Sequence, residues 1–142
     1  MNDSDRALCV ATAGLLRASG AIAFWGLALA AIAGVVLSLT GRSLPAAAWA
    51  SYALVGLLGL PERYLALRLR LDATLFEGLA GGAIANLPAL DGALEMLGLR
   101  RAADATRPLA ERVLGTRQLM QRHGIVVAMQ TVVFILALVL LD

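Results

Sequence analysis

Few residues in this chain have the types and spacing that chemistry needs. Arg68 and Asp72 stand four apart, which is ion-pair spacing on a helix. Such a pair gates a path, clamps a partner or holds a packed interface, and the sequence favours a structural pair. Asp91 and Glu95 are also four apart. Paired carboxylates do acid–base work or bind a metal. No histidine stands near them, and Asp91-Gly92 lacks the further aspartates at fixed spacing used by enzymes that join alcohols to lipid diphosphates. They are expected on a solvated face.

Gln130, with Thr131 beside it, interrupts a long apolar run. An amide in hydrocarbon seeks a partner on another helix, so Gln130 is expected to hold helices together. No carboxylate accompanies it within that run, which argues against a proton path there. His123 is the only histidine and falls where the same run begins, a position expected at a membrane interface. Cys9 is the only cysteine; it excludes an internal disulfide and reads as a small packing residue. There is no Cys/His set for zinc or haem, no P-loop and no dinucleotide fingerprint. No catalytic, cofactor-binding or metal-binding residue is assigned, and no cofactor is expected.

The elements that position these residues are helices of membrane length. Residues 21–40, AIAFWGLALAAIAGVVLSLT, carry no charge. As a helix they span about 30 Å, the thickness of a bilayer's hydrocarbon core. Gly26, Ala30, Gly34 and Ser38 recur at every fourth position, predicting a stripe where another helix approaches closely, either the second span or a neighbouring subunit. Ahead of this span, residues 3–19 predict an amphipathic arm, with Asp3 or Ser4 as its cap and Asp5 in its first turn. Residues 5–20 form either a separate surface helix or an extension of the first span.

Gly41 ends the first span and Pro45 opens the second, 46–65, which runs past Pro61 with a kink. Trp25, Trp49 and Tyr64 suit the membrane–water interface. Leu65, Leu67, Leu69 and Leu71 then alternate with Ala66, Arg68 and Arg70, a period of two that signals a strand. The residues are strong helix formers with little β-branching, and helix is predicted instead. A helical wheel sets Glu62, Arg63, Arg70 and Glu77 on one side against Leu65, Leu69, Phe76 and Leu79 on the other.

Gly78, Gly81 and Gly82 end that helix, and Asn86 and Pro88 begin the next, closed by Gly98. Asp104 or Thr106 starts the last helix, with Pro108 in its first turn. Leu109, Val113 and Met120 mark one face of its first part, and Arg112 and Arg122 the other. Residues 124–141 carry no charge and form the third span.

Composition agrees. The 142 residues are 60% hydrophobic and only 15% charged, with a mean hydropathy of +0.80. A soluble domain is nearer 45–50% apolar, as a rough norm. Every basic residue is arginine. The net charge of +2 does not point to nucleic acid, because the arginines flank the spans and meet lipid headgroups. The acidic start lacks the features of a signal peptide, so the first span is expected to be retained. Of the twelve arginines only Arg42 lies between the first two spans; the rest lie in the arm or between Glu62 and His123. The positive-inside rule then puts the arm and residues 66–122 in the cytoplasm and Asp142 outside.

The expected fold is all-α: a single membrane-embedded helical domain, 1–142, with three transmembrane helices and a cytoplasmic helical insertion, 66–122. The expected place is a bacterial inner membrane. The expected function is that of a non-enzymatic subunit of a larger membrane assembly, partnered by the bilayer and by its own copies or other membrane proteins. The alternatives are a small oligomeric channel or transporter, and an enzyme acting on lipid headgroups at the cytoplasmic interface.

Overall fold

A computed structural model describes residues 2–41, 43–98 and 108–141, and among them the chain is all-helical with no strand. Arg42, Arg100, Arg101, Asp104, Thr106, Arg107 and Asp142, which carried expectations above, lie outside the described residues.

Helix α1, Asp3–Ala18, has Asp3 and Asp5 in its first turn and Arg17 in its last, complementing the helix dipole at both ends. Its cap is Asn2, one residue ahead of the expected Asp3. Asn2 Oδ1 accepts from the Asp5 amide at 2.7 Å, and Asp5 Oδ2 accepts from the Asn2 amide at 3.3 Å. This reciprocal arrangement satisfies two donors that the first turn leaves without partners. Helix α2, Gly20–Thr40, follows after Ser19, whose backbone is itself helical. Taken together, Asp3–Thr40 is long and apolar enough to cross a membrane, and so is α5, Leu109–Val139.

Helix α3, Ala46–Ala80, is 35 residues long and runs through Pro61. The alternating leucines are helical, as their composition predicts. A helix cannot keep period-two positions on one face: Leu69 is buried while Leu67 and Leu71 are exposed. Beyond Ala80 the chain reverses, with Gly82 at φ 78°, a backbone region that favours glycine. Helix α4, Leu87–Met96, is capped by Asn86, which accepts from the Ala89 amide at 2.9 Å. Gly98, at φ 68°, closes it.

The helices divide into two compact units. The bundle unit, Ser19–Arg68 with Leu119–Asp142, holds α2, the first part of α3 and the last part of α5. Its apolar core is Leu29, Ala33, Tyr52, Val55 and Ala137, with Val36, Leu37, Leu44, Val133 and Phe134 against it. Tyr52 meets Phe134 edge to face, ring centres 5.8 Å apart. Many outward side chains of this unit are also apolar, among them Phe24, Val35, Leu57, Leu60, Val132 and Val139, with Arg68 and Arg122 exposed at one end of its segments.

The arm unit, Met1–Ala18 with Leu69–Gln118, holds α1, the rest of α3, α4 and the start of α5. Its buried positions keep helical spacing: Cys9, Thr12, Ala13 and Leu16 on α1; Leu69, Ala73, Phe76 and Leu79 on α3.

Candidate functional site

The bundle unit buries polar side chains where its outer surface is apolar. On α3 the buried positions are Ala48, Ser51, Tyr52, Val55, Gly59 and Glu62, each three or four residues from another, so Glu62 extends the core stripe by one turn. On α5, His123, Val127, Gln130 and Ala137 form the matching stripe. On α2 the facing residues are Gly26, Leu29 and Ala33.

Glu62 is 0% exposed, and its Oε1 lies 3.1 Å from Nε2 of the equally buried His123. Arg63 grips the same carboxylate from the next position, Nε to Oε2 at 2.5 Å and Nη2 to Oε1 at 2.6 Å. The Arg63 Nη2 also donates to the Ala23 carbonyl of α2. One carboxylate on α3 thus ties α5 directly and α2 through its neighbouring guanidinium. Charge-assisted bonds of this kind are about twice as strong as neutral ones.

Deeper along α5, Gln130 Nε2 donates to the Gly26 carbonyl at 3.1 Å and to the Val55 carbonyl at 3.2 Å. The amide therefore bridges α2 and α3, as expected of a polar group among apolar helices. Two glycines make room. A Cβ on Gly26 would lie 2.9 Å from Cγ and Cδ of Glu62 and 3.2 Å from Gln130 Oε1; one on Gly59 would lie 3.1 Å from Ala30 Cβ. Thr131 accepts from the Trp25 indole at 3.1 Å. His123 Nδ1 and Gln130 Oε1 are buried without a hydrogen-bond partner.

The small-residue row divides. Gly26 is buried against Glu62 and Gln130, and Ala30 is half-buried, but Gly34 and Ser38 are exposed, with nothing within 4 Å of a Cβ added at Gly34. Four residues advance a helix by one turn and about 40° more, so a strict fourfold row rotates off any contact it starts on. The buried row instead runs Gly26, Leu29, Ala33, with mixed steps.

Two placements correct the sequence reading and a third adds to it. Glu62 does not share a charged face with Arg63 and Glu77; it is in the core. His123 is fully buried within the bundle unit. Asp91 is buried and paired with the Arg112 guanidinium, not solvated, while Glu95 is exposed. Arg68 is exposed and Asp72 half-buried, its carboxylate accepting from Thr116 Oγ1 at 3.2 Å. Cys9 is buried, and burial, with Asp5 second, pushes its thiol above the ordinary range, which suppresses thiolate chemistry.

The Glu62–His123 pair escaped notice because 61 residues separate its members and a wheel for one helix carries no information about its neighbour. A usable signal existed: Glu62 follows Val55 and Gly59 at helical spacing, and His123 precedes Gln130 by seven residues, two turns.

Chemically, the cluster holds one carboxylate, one guanidinium and one imidazole. Among the described residues no group of three or more His, Cys, Asp or Glu gathers to hold a metal. Comparison of the chain with protein-family models, with curated proteins and with solved structures gave no match.

Proposed function

We propose that the chain is a non-enzymatic subunit of a membrane assembly, anchored by three transmembrane helices, 21–40, 46–65 and 124–141. The arm and residues 66–122 lie in the cytoplasm of a bacterial cell and the C-terminal end lies outside. The polarity of the bundle unit supports embedding in lipid: Glu62, His123 and Gln130 are inside while Phe24, Leu60 and Val132 face outward.

The observation that carries the assembly reading is the outward half of the small-residue row. Gly34 and Ser38 stand on the surface of α2, and the Ser38 hydroxyl is turned back onto the Gly34 carbonyl at 2.7 Å. A helix from another copy or another protein can approach closely there. Within one chain, the packed apolar residues beyond Gln130 support a closed bundle rather than a lumen.

Native mass measurement in mild detergent tests this reading. Wild-type protein should run as an oligomer or with a bound partner. Gly34→Leu, where an added Cβ meets nothing within 4 Å in its own chain, should release folded monomer. Monomeric wild-type protein without a partner overturns the assembly. A C-terminal reporter active in the cytoplasm overturns the three-span topology.

A further inference from the structure

We propose that Glu62 and His123 form a proton-binding site that sets whether Arg63 ties the start of α2 to α3. The site rests on contacts inside the bundle unit and goes beyond the assembly reading, whichever partner that assembly holds.

The charges decide its behaviour. With His123 neutral and its Nε2–H donated to Glu62, the carboxylate and the Arg63 guanidinium cancel, and a core of low dielectric tolerates the cluster. In that form His123 Nδ1 is a bare, buried acceptor without a hydrogen-bond partner. A proton arriving there forms one N–H bond and leaves two cations sharing one carboxylate. Among the described residues of the bundle unit Glu62 is the only carboxylate. Helix α2, Gly20–Thr40, carries no charged or titratable side chain and offers only the Ala23 carbonyl. On α5, the adjacent Arg122 is exposed and is itself a cation.

Of the two cations, imidazolium is enclosed, with a side chain 1% exposed, while the Arg63 side chain is 38% exposed and can turn outward. The protonated site therefore keeps His123 on Glu62, now as a charge-assisted bond, and sheds Arg63. Its Nη2 leaves the Ala23 carbonyl, and the start of α2 loses its tie to α3.

The site binds a proton without conducting it. Past Gln130 the core is Leu29, Ala33, Val55 and Ala137, with Tyr52 packed on Phe134, and among the described residues it holds no second carboxylate or imidazole.

Histidine ordinarily changes charge between about pH 5 and 8, and this chain has one, so its imidazole nitrogens report without ambiguity. The full chain, labelled with nitrogen-15 histidine in lipid nanodiscs, is titrated across that range. The His123 Nδ1 resonance should move to the protonated position in folded wild-type protein. In Glu62→Gln, where Arg63 faces the ring without a counter-charge, it should stay unprotonated.

The proton-binding site is overturned by a wild-type ring that stays neutral throughout, or by a Glu62→Gln ring that titrates as wild type. A second readout is Trp25, two residues from Ala23, in a Trp49→Phe background that leaves one tryptophan. Its fluorescence should shift over the same pH interval in which Nδ1 gains its proton. An unchanged spectrum alongside a protonating ring overturns the release of α2.

Discussion

The core of the bundle unit and the surface of the arm unit handle charge in opposite ways, although the arm unit also encloses a pair of its own, Asp91 with Arg112. In the bundle unit, Glu62 and His123 are sealed inside while Phe24, Leu60 and Val132 face outward. In the arm unit, the pair between Arg17 Nε and Glu77 Oε1, 2.6 Å long, sits at the surface, with side chains 71% and 33% exposed. Both pairs have good geometry, so geometry is not what separates them. An exposed pair gains little because water competes for each partner and the side chains lose freedom. A buried pair is costly to make and costlier to break, because removing one partner strands the other in a medium that cannot solvate it. The position of a charge relative to the helix stripe, more than its partner, sets what it is worth.

Five substitutions, one of them a control, test that contrast. Glu62→Ala has the largest expected effect. It leaves His123 and Arg63 without their acceptor and should cost about 3–5 kcal/mol, read as lost thermal stability in detergent. A loss no larger than that of a surface charge would erase the difference between the units. Gly26→Ala comes next: its Cβ would meet the Glu62 side chain at 2.9 Å and force the cluster apart, costing about 1–3 kcal/mol. Gly34→Ala, with open space, is its neutral control in monomeric protein. Equal melting points for the two would mean that Glu62 does not pack on Gly26.

Gln130→Leu should lose about 0.6–2 kcal/mol, since it removes the bonds to Gly26 and Val55 but keeps apolar bulk. A gain in stability would show that the amide is not holding the helices. Glu77→Gln should change stability by less than about 1 kcal/mol, and less still at high salt, because its partner Arg17 is largely in solvent. A loss approaching that of Glu62→Ala would place the Arg17–Glu77 pair in a buried environment after all.

Local chemistry was legible in the sequence wherever one segment contained both cause and effect. Asn86 caps α4 because the side chain and the amide it satisfies are three residues apart. The apolar runs and the helical nature of residues 62–80 follow from composition and propensity within the run. Gln130 was found because an amide among apolar residues is conspicuous in one dimension. The small-residue row divides within one chain, since four residues advance a helix by more than a turn and the extra rotation carries Gly34 and Ser38 outward.

Glu62 and Asp91 lie inside, against expectation, and His123 is enclosed, for one shared reason. Charge and sequence position predict exposure only until another helix arrives, and each of these residues is enclosed or paired by a distant partner. The sequence by itself determined that this chain is helical and that two of its helical stretches are long and apolar enough to cross a membrane, because both are sums over neighbouring residues. Only the tertiary structure decided which charged groups are inside. That depends on three helices presenting their stripes to one another at once, and on two glycines leaving the space for it.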